Sequence, residues 1–140
     1  MGLNYMDNTI NFKEVYNEWI EIADRDYSAA KKKYYENWTQ HEYLICYLSQ
    51  QAVEKYLKGY HAYHGEEIIK NHILENLLDK CIKYDKDFEL LRDKCEYLTV
   101  FATQTRYPDI TIDINNVETK RALNSAEFII NFIKNKMKDI

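Results

Sequence analysis

Apolar residues recur at spacings of three and four along most of the chain, the pattern of helices that bury one face. The clearest stretch is Leu44–Tyr63, LICYLSQQAVEKYLKGYHAY, with Leu44, Ile45, Leu48, Ala52, Tyr56 and Leu57 on one stripe. Ser49, Gln50 and Gln51 interrupt that stripe, and Glu54, Lys55 and Lys58 follow one to two turns later. This predicts a core helix that also carries a polar patch at mid-length. Before it, a first helix is predicted from about Asn11 to Asn37, with Trp19, Ile22, Ala23, Tyr27, Ala30 and Tyr34 inward. Thr39 and Glu42 have the spacing of a capping box that would start the second helix, and His64-Gly65 would stop it. Asn71 then caps a third, short helix over about His72–Tyr84, carried by Ile73, Leu74, Leu77, Leu78, Cys81 and Ile82. A fourth covers about Asp87–Thr105 through Leu91, Cys95, Leu98, Phe101 and Ala102, and Pro108 fixes its end. DITIDINN (109–116) alternates in the manner of a strand but is too short to found a sheet, and is read as a loop. Asn116 caps a fifth helix to about Lys138, with Val117, Ala122, Ala126, Ile129, Ile130, Ile133 and Met137 inward. The expected fold is all-α, an up-and-down bundle of four long helices plus one short helix, with residues 1–10 as a flexible leader and 11–140 as a single domain.

Composition agrees with that picture. At 140 residues the chain is long enough to bury a core unaided, and 3 Gly with 1 Pro leave few turn residues, which favours long helices. Cys46, Cys81 and Cys95 are an odd set without a C-x-x-C pair, each inside an apolar pattern, and read as reduced core thiols of a cytoplasmic protein. The first ten residues have neither the basic start nor the apolar run of a signal peptide, and no window is apolar enough to span a membrane. A net charge of −4 argues against broad electrostatic binding of nucleic acid, although a local basic patch is compatible with it. The 13 tyrosines supply amphipathic surface for helix packing, dimer contacts or stacking on bases.

The candidate chemistry is local. Asp26 borders the first helix's stripe and, if drawn inward, needs a donor such as Lys55, Lys58 or Arg106. Lys55 and Lys58 lie on neighbouring turns with Ser49, Gln50 and Gln51 nearby, where they suit a phosphate and a base edge, the plainer alternative being solvated lysines whose stems cover apolar surface. His72, at the start of the third helix, is read as either ligand-facing or tied to backbone. Arg106 offers a planar fork for a phosphate, or a partner for Asp26 or Glu54. The lysines and aromatics of KKKYYENWT fit a stacking patch for single strands, but such a helix end more often favours the dipole and packs its aromatics on the next helix. His61 and His64 have helical spacing without the further ligands a metal requires, so no metal site and no cofactor is expected. Glycine-rich phosphate loops, nucleophile elbows and zinc-finger spacings are all missing.

Four motifs in order then carry a resemblance. They are Trp19…Ala23-x-x-Asp26-Tyr27-x-x-Ala30, SQQAVEKYLKGY (Ser49–Tyr60), Asn71-His72-x-Leu74-x-x-Leu77, and Arg106-Tyr107-Pro108-Asp109 followed by the helix bearing Ala122 and Ala126. Over about residues 13–135 the chain resembles the HEPN domain family. The resemblance implies a helical bundle that homodimerises and is encoded beside a minimal nucleotidyltransferase in toxin–antitoxin or defence-like modules. It also implies one of three activities. Many members are metal-independent endoribonucleases with an R-x(4–6)-H motif, while others bind nucleotides or RNA or serve as protein-interaction modules. Counting from Arg106, the motif histidine should fall at Thr111, Ile112 or Asp113, and no histidine follows His72. A proton-exchanging group is therefore missing where cleavage would need it, which weighs against catalysis. The expected function is binding of a nucleotide or RNA by a homodimer, through Asp26, Gln51, Lys55, Lys58, His72 and Arg106. The alternatives are an endoribonuclease with a degenerate motif, using Arg106 and His72, and a pure interaction module.

Overall fold

The computed structural model describes residues 10–67, 70–102 and 115–139. Among these, every regular element is helical. They are α1 (Phe12–Asn37), α2 (Glu42–Tyr63), α3 (Leu74–Ile82), α4 (Arg92–Thr99) and α5 (Asn116–Met137). The all-α architecture expected from the periodicity is the one observed. Single 3-10 segments flank α4 on both sides, Lys86–Leu91 and Val100–Ala102, so the fourth rod is a composite rather than one continuous α-helix. The local reason is apolar spacing. Phe88 and Leu91 are both fully buried, and three residues per turn places them on the same side.

The helix starts correct several expected caps. Asn11 caps α1, its side chain accepting from the Glu14 amide at 3.2 Å. Thr39 does not cap α2. It sits in a 3-10 turn, Trp38–Gln40, its hydroxyl donating to Asn37, while His41 holds the cap position without a side-chain bond. Asn71 accepts from the Ile73 amide at 2.8 Å, but the helix begins only at Leu74, whose amide donates instead to the Thr99 hydroxyl at 3.0 Å. Asn115 rather than Asn116 caps α5, accepting from the Glu118 amide at 2.9 Å. The expected stop of α2 holds: Gly65 adopts φ +77° and donates to Ala62 at 2.9 Å, a conformation that favours glycine.

Helix α2 lies at the centre, packed along α1 on one side and against α5 and α3 on others. Ile45, Cys46, Ala52, Val53, Tyr56 and Leu57 are fully buried along it. The core continues through Leu74, Leu78, Cys81, Phe88, Leu91, Cys95, Leu98, Ala122, Ala126, Ile129 and Ile133. Four residues assigned inward are exposed: Ile22, Leu44, Ile73 and, most of all, Val117 at 73%. Each stands near the edge of its stripe or at a helix end, where a three-four pattern fits two adjacent faces. The three cysteines are free and buried, as expected of core thiols. The leader, apart from Ile10, the fourth helix's expected end at Pro108 and most of the 109–116 loop lie outside the described residues.

Candidate functional site

The amides and charges at mid-length of α2 point along two adjacent rows of that helix. Gln50, Glu54 and Lys58 follow each other at four-residue spacing, which stacks them on one face. Gln51 and Lys55 form the next row, from which Lys55 reaches α1. Lys55 donates to the Asp26 carboxylate of α1, both side chains about one-fifth exposed at 22% and 20%. The cation that Asp26 needs is thus Lys55, one of the three donors the sequence offered.

Glu54 is the hub of the other row. Its carboxylate, only 5% exposed, accepts from the Lys58 ammonium at 3.1 Å, from the Gln50 amide at 3.3 Å and from His72 at 2.9 Å. Gln50 also donates to the His72 carbonyl at 3.2 Å and accepts from Gln51 at 2.8 Å. A buried carboxylate is tolerable only when its lone pairs are met, and three donors meet them here. Because a carboxylate only accepts, the bond to His72 Nδ1 assigns that nitrogen as N–H. The imidazole's other nitrogen, Nε2, has no partner among the described residues, on a side chain 55% exposed. The chain before α3 is thus pinned at its backbone by Gln50 and at its ring by Glu54, and its histidine is presented at the surface in a fixed orientation.

Of the six sequence-assigned residues, Lys58 and His72 therefore meet at Glu54, Gln51 joins them only through Gln50, and Asp26 and Lys55 meet one row away. Arg106 lies outside the described residues, as do Thr111, Ile112 and Asp113. Glu54 was not assigned to the site and Gln50 was only named beside its lysines, although their four-residue spacing from each other and from Lys58 was the available signal. The lysines are not free point charges, each being tied to a carboxylate. Each ammonium nonetheless has three donors, of which these bonds use one.

At the C-terminal end of α2, His61 and His64 do not converge on a ligand set. The His64 ring stacks on Tyr84 at 3.9 Å, and burial lowers the pKa of both histidines. Tyr84 donates to Glu66, which raises the phenol to about 12. No group of three His, Cys, Asp or Glu side chains among the described residues could hold a metal. A cleft of about 600 Å³ opens elsewhere, between α4 and α5, and shares none of the six residues.

Likenesses to known proteins agree with this helical arrangement. A family profile described as HEPN domain matches residues 16–136. The fold is similar to that of TT1696 from Thermus thermophilus, at 25% identity and a TM-score of 0.73, over 91% of this chain and 99% of that one. It is also similar to ST0689, an archaeal HEPN homologue, at 26% identity and a TM-score of 0.68, over 86% and 96% of the two chains. No curated protein matches the chain.

Proposed function

We propose, from the premise that this chain belongs to the HEPN domain family, that it binds a nucleotide or an RNA segment as a homodimer. The ligand would lie along the polar rows of α2 and the start of the α3 segment, against Asp26, Gln51, Lys55, Lys58, His72 and Arg106. The single observation that carries this reading is the buried Glu54, which holds His72 outward while neutralising Lys58. The bond to the buried Glu54 carboxylate offsets the entropy of fixing the imidazole, and it leaves the exposed edge of the ring preorganised for a ligand. A presented imidazole offers a flat face to a base and a ring nitrogen to a hydroxyl. The unused ammonium donors of Lys55 and Lys58 suit phosphate oxygens. Lys55, Lys58 and Arg106 against Asp26 and Glu54 would leave the site one positive charge in excess. Arg106 enters by its guanidinium chemistry and its place in the sequence. A separate minimal nucleotidyltransferase as partner, in a cytoplasmic toxin–antitoxin or defence-like module, follows from the family resemblance.

A second reading rests on the same pair. A carboxylate bound to Nδ1 leaves Nε2 as the base, the arrangement that general-base catalysis uses, and would support RNA cleavage without metal through His72 and Arg106. One experiment addresses both. ATP, GTP and a short RNA are titrated against wild type, His72→Ala and Arg106→Ala, and the RNA is then analysed for cleavage in chelator. Saturable binding that each substitution weakens about tenfold is expected, as for a lost charged hydrogen bond. No saturable binding of any of the three ligands would overturn the reading. Cleavage lost in both variants would promote the catalytic one.

A further inference from the structure

His72 belongs to a short turn that α3 does not cap for itself. Ile73 holds the cap position and makes no side-chain bond there, so the first turn of α3 takes partners from other helices. Within the turn, Asn71 accepts from the Ile73 amide at 2.8 Å. From α2, Gln50 reaches the His72 carbonyl at 3.2 Å and Glu54 the His72 ring at 2.9 Å. From α4 comes Thr99, the last residue of that helix. Its hydroxyl accepts from the Leu74 amide at 3.0 Å and donates to the Glu75 carboxylate. A helical Ser or Thr often turns its hydroxyl back on the carbonyl four residues earlier. Ser49 does so onto Ile45 and Thr119 onto Asn115, each at 2.8 Å. Thr99 instead directs both its proton and a lone pair at α3, to residues 24 and 25 positions away in sequence. With the one hydroxyl proton given to Glu75, a lone pair is left facing the Leu74 amide, so Glu75 orients the hydroxyl.

We propose that Thr99 is a positioning residue for His72: its hydroxyl holds the start of α3 from α4 and thereby sets where the imidazole stands above Glu54. The backbone explains why one hydroxyl suffices. The His72 carbonyl is held from α2 and the Leu74 amide from α4, and only the φ and ψ of Ile73 lie between them. With both ties in place the segment that carries the imidazole has little room to turn. With the α4 tie removed, those two dihedrals are free to swing, and the bond from Nδ1 to Glu54 is left to hold the ring against the motion. The consequence for binding rests on the reading of His72 given above, whereas the placement of the ring by Thr99 is a property of the free chain.

The test uses the whole chain and four variants: Thr99→Val, which keeps the side chain's shape without the hydroxyl, Thr99→Ser, which keeps the hydroxyl, His72→Ala, and Thr99→Val combined with His72→Ala. In the free chain, amide exchange and the histidine ring signals are followed by NMR. Thr99→Val is expected to speed exchange at Leu74 about tenfold, as for one lost hydrogen bond. It is also expected to shift the ring signals of His72 while those of His41, His61 and His64 stay in place, and Thr99→Ser to restore both readouts. A global loss of stability would instead speed every core amide alike. With ATP, GTP and the short RNA as probes, Thr99→Val is expected to weaken binding in the otherwise wild-type chain and to add nothing to His72→Ala, the non-additivity of a residue that acts through another. Wild-type ring signals and Leu74 exchange in Thr99→Val would overturn the proposal. The same disturbance in Thr99→Ser would overturn it too, by assigning the effect to packing, as would an equal weakening with and without His72. Failure of wild type to bind any of the three probes would remove the function proposed above, and the ring signals and exchange would still decide whether Thr99 places His72.

Discussion

Glu54 sets the geometry around it because it is both nearly inaccessible and ionic. Truncating it to alanine strands the Lys58 ammonium, itself only 10% exposed, without a counter-charge, and frees Gln50 and His72 together. Leaving one member of a buried pair uncompensated typically costs about 3–5 kcal/mol. Glu54→Ala should therefore destabilise the chain by about that much in urea denaturation. Glu54→Gln keeps the shape and one acceptor oxygen and should lose clearly less. Equal losses would mean that the carboxylate's charge, and not its shape or its acceptor oxygens, carries the whole effect. Lys55→Ala, removing a partner from the more exposed Asp26 pair, should cost about 1 kcal/mol or less. At this scale the sequence was partly legible. The residue types at the polar interruption of α2 announce a site, and Asp26 with Lys55 is one of the pairings they permit. Glu54's centrality was not legible, because helical spacing places it beside both Lys58 and the solvent side, and only the return of the chain at His72 decides between them.

At the scale of elements, α2 is placed by what its neighbours let it approach. Gly59 is the close-contact point with α1. A Cβ there would lie 3.0 Å from the Trp19 Cβ, 3.3 Å from the Ile20 methyl and 3.5 Å from the Tyr16 ring. The first of those atoms is fixed to its backbone, so the helices themselves would have to part. Replacing glycine in a helix with another residue normally gains up to about 1 kcal/mol of propensity. Overpacking a filled interface costs about 1–3 kcal/mol. Gly59→Val, with little propensity to gain and two further methyls to place, should lose about 2 kcal/mol, and Gly59→Ala less. A neutral or stabilising valine would show that the two helices slide freely. The sequence made the elements themselves readable because each long helix carries its own apolar stripe. The composite fourth rod was not readable in detail, since Leu91, Cys95 and Leu98 fit α spacing while Phe88 and Leu91 fit a tighter turn equally well. The caps failed for a related reason. A capping residue is recognised by its side chain, but at Leu74 the partner is Thr99, which is 25 positions away in sequence.

For the molecule as a whole, the cysteines offer a readout that the proposed site does not touch. Cys46, Cys81 and Cys95 are fully buried, and burial pushes the thiols of Cys46 and Cys95 up to about 12 and raises that of Cys81 as well. Thiolate is the reactive form, so at neutral pH none of the 3 should react with a disulfide reagent in the native state. All should react at once in denaturant. The three belong to different helices, α2, α3 and α4, and pack into the shared core, which makes simultaneous labelling a test of cooperative opening. If opening is global and rapid relative to labelling, a ligand that binds only the folded chain slows all three thiols by one common factor. At 100 times its dissociation constant that ligand stabilises by about 2.7 kcal/mol, which is about 100-fold in labelling rate. ATP at such a concentration should then protect Cys46, Cys81 and Cys95 alike, even though no cysteine belongs to the Glu54 cluster. Protection of Cys95 alone would point instead to local opening of α4, the shortest α-helix among the described residues, with the ligand acting as a clamp on that rod. Absence of any protection by ATP, GTP and the short RNA alike, each at saturation, would mean that the folded chain gains nothing from any of them, and the binding proposal would fail.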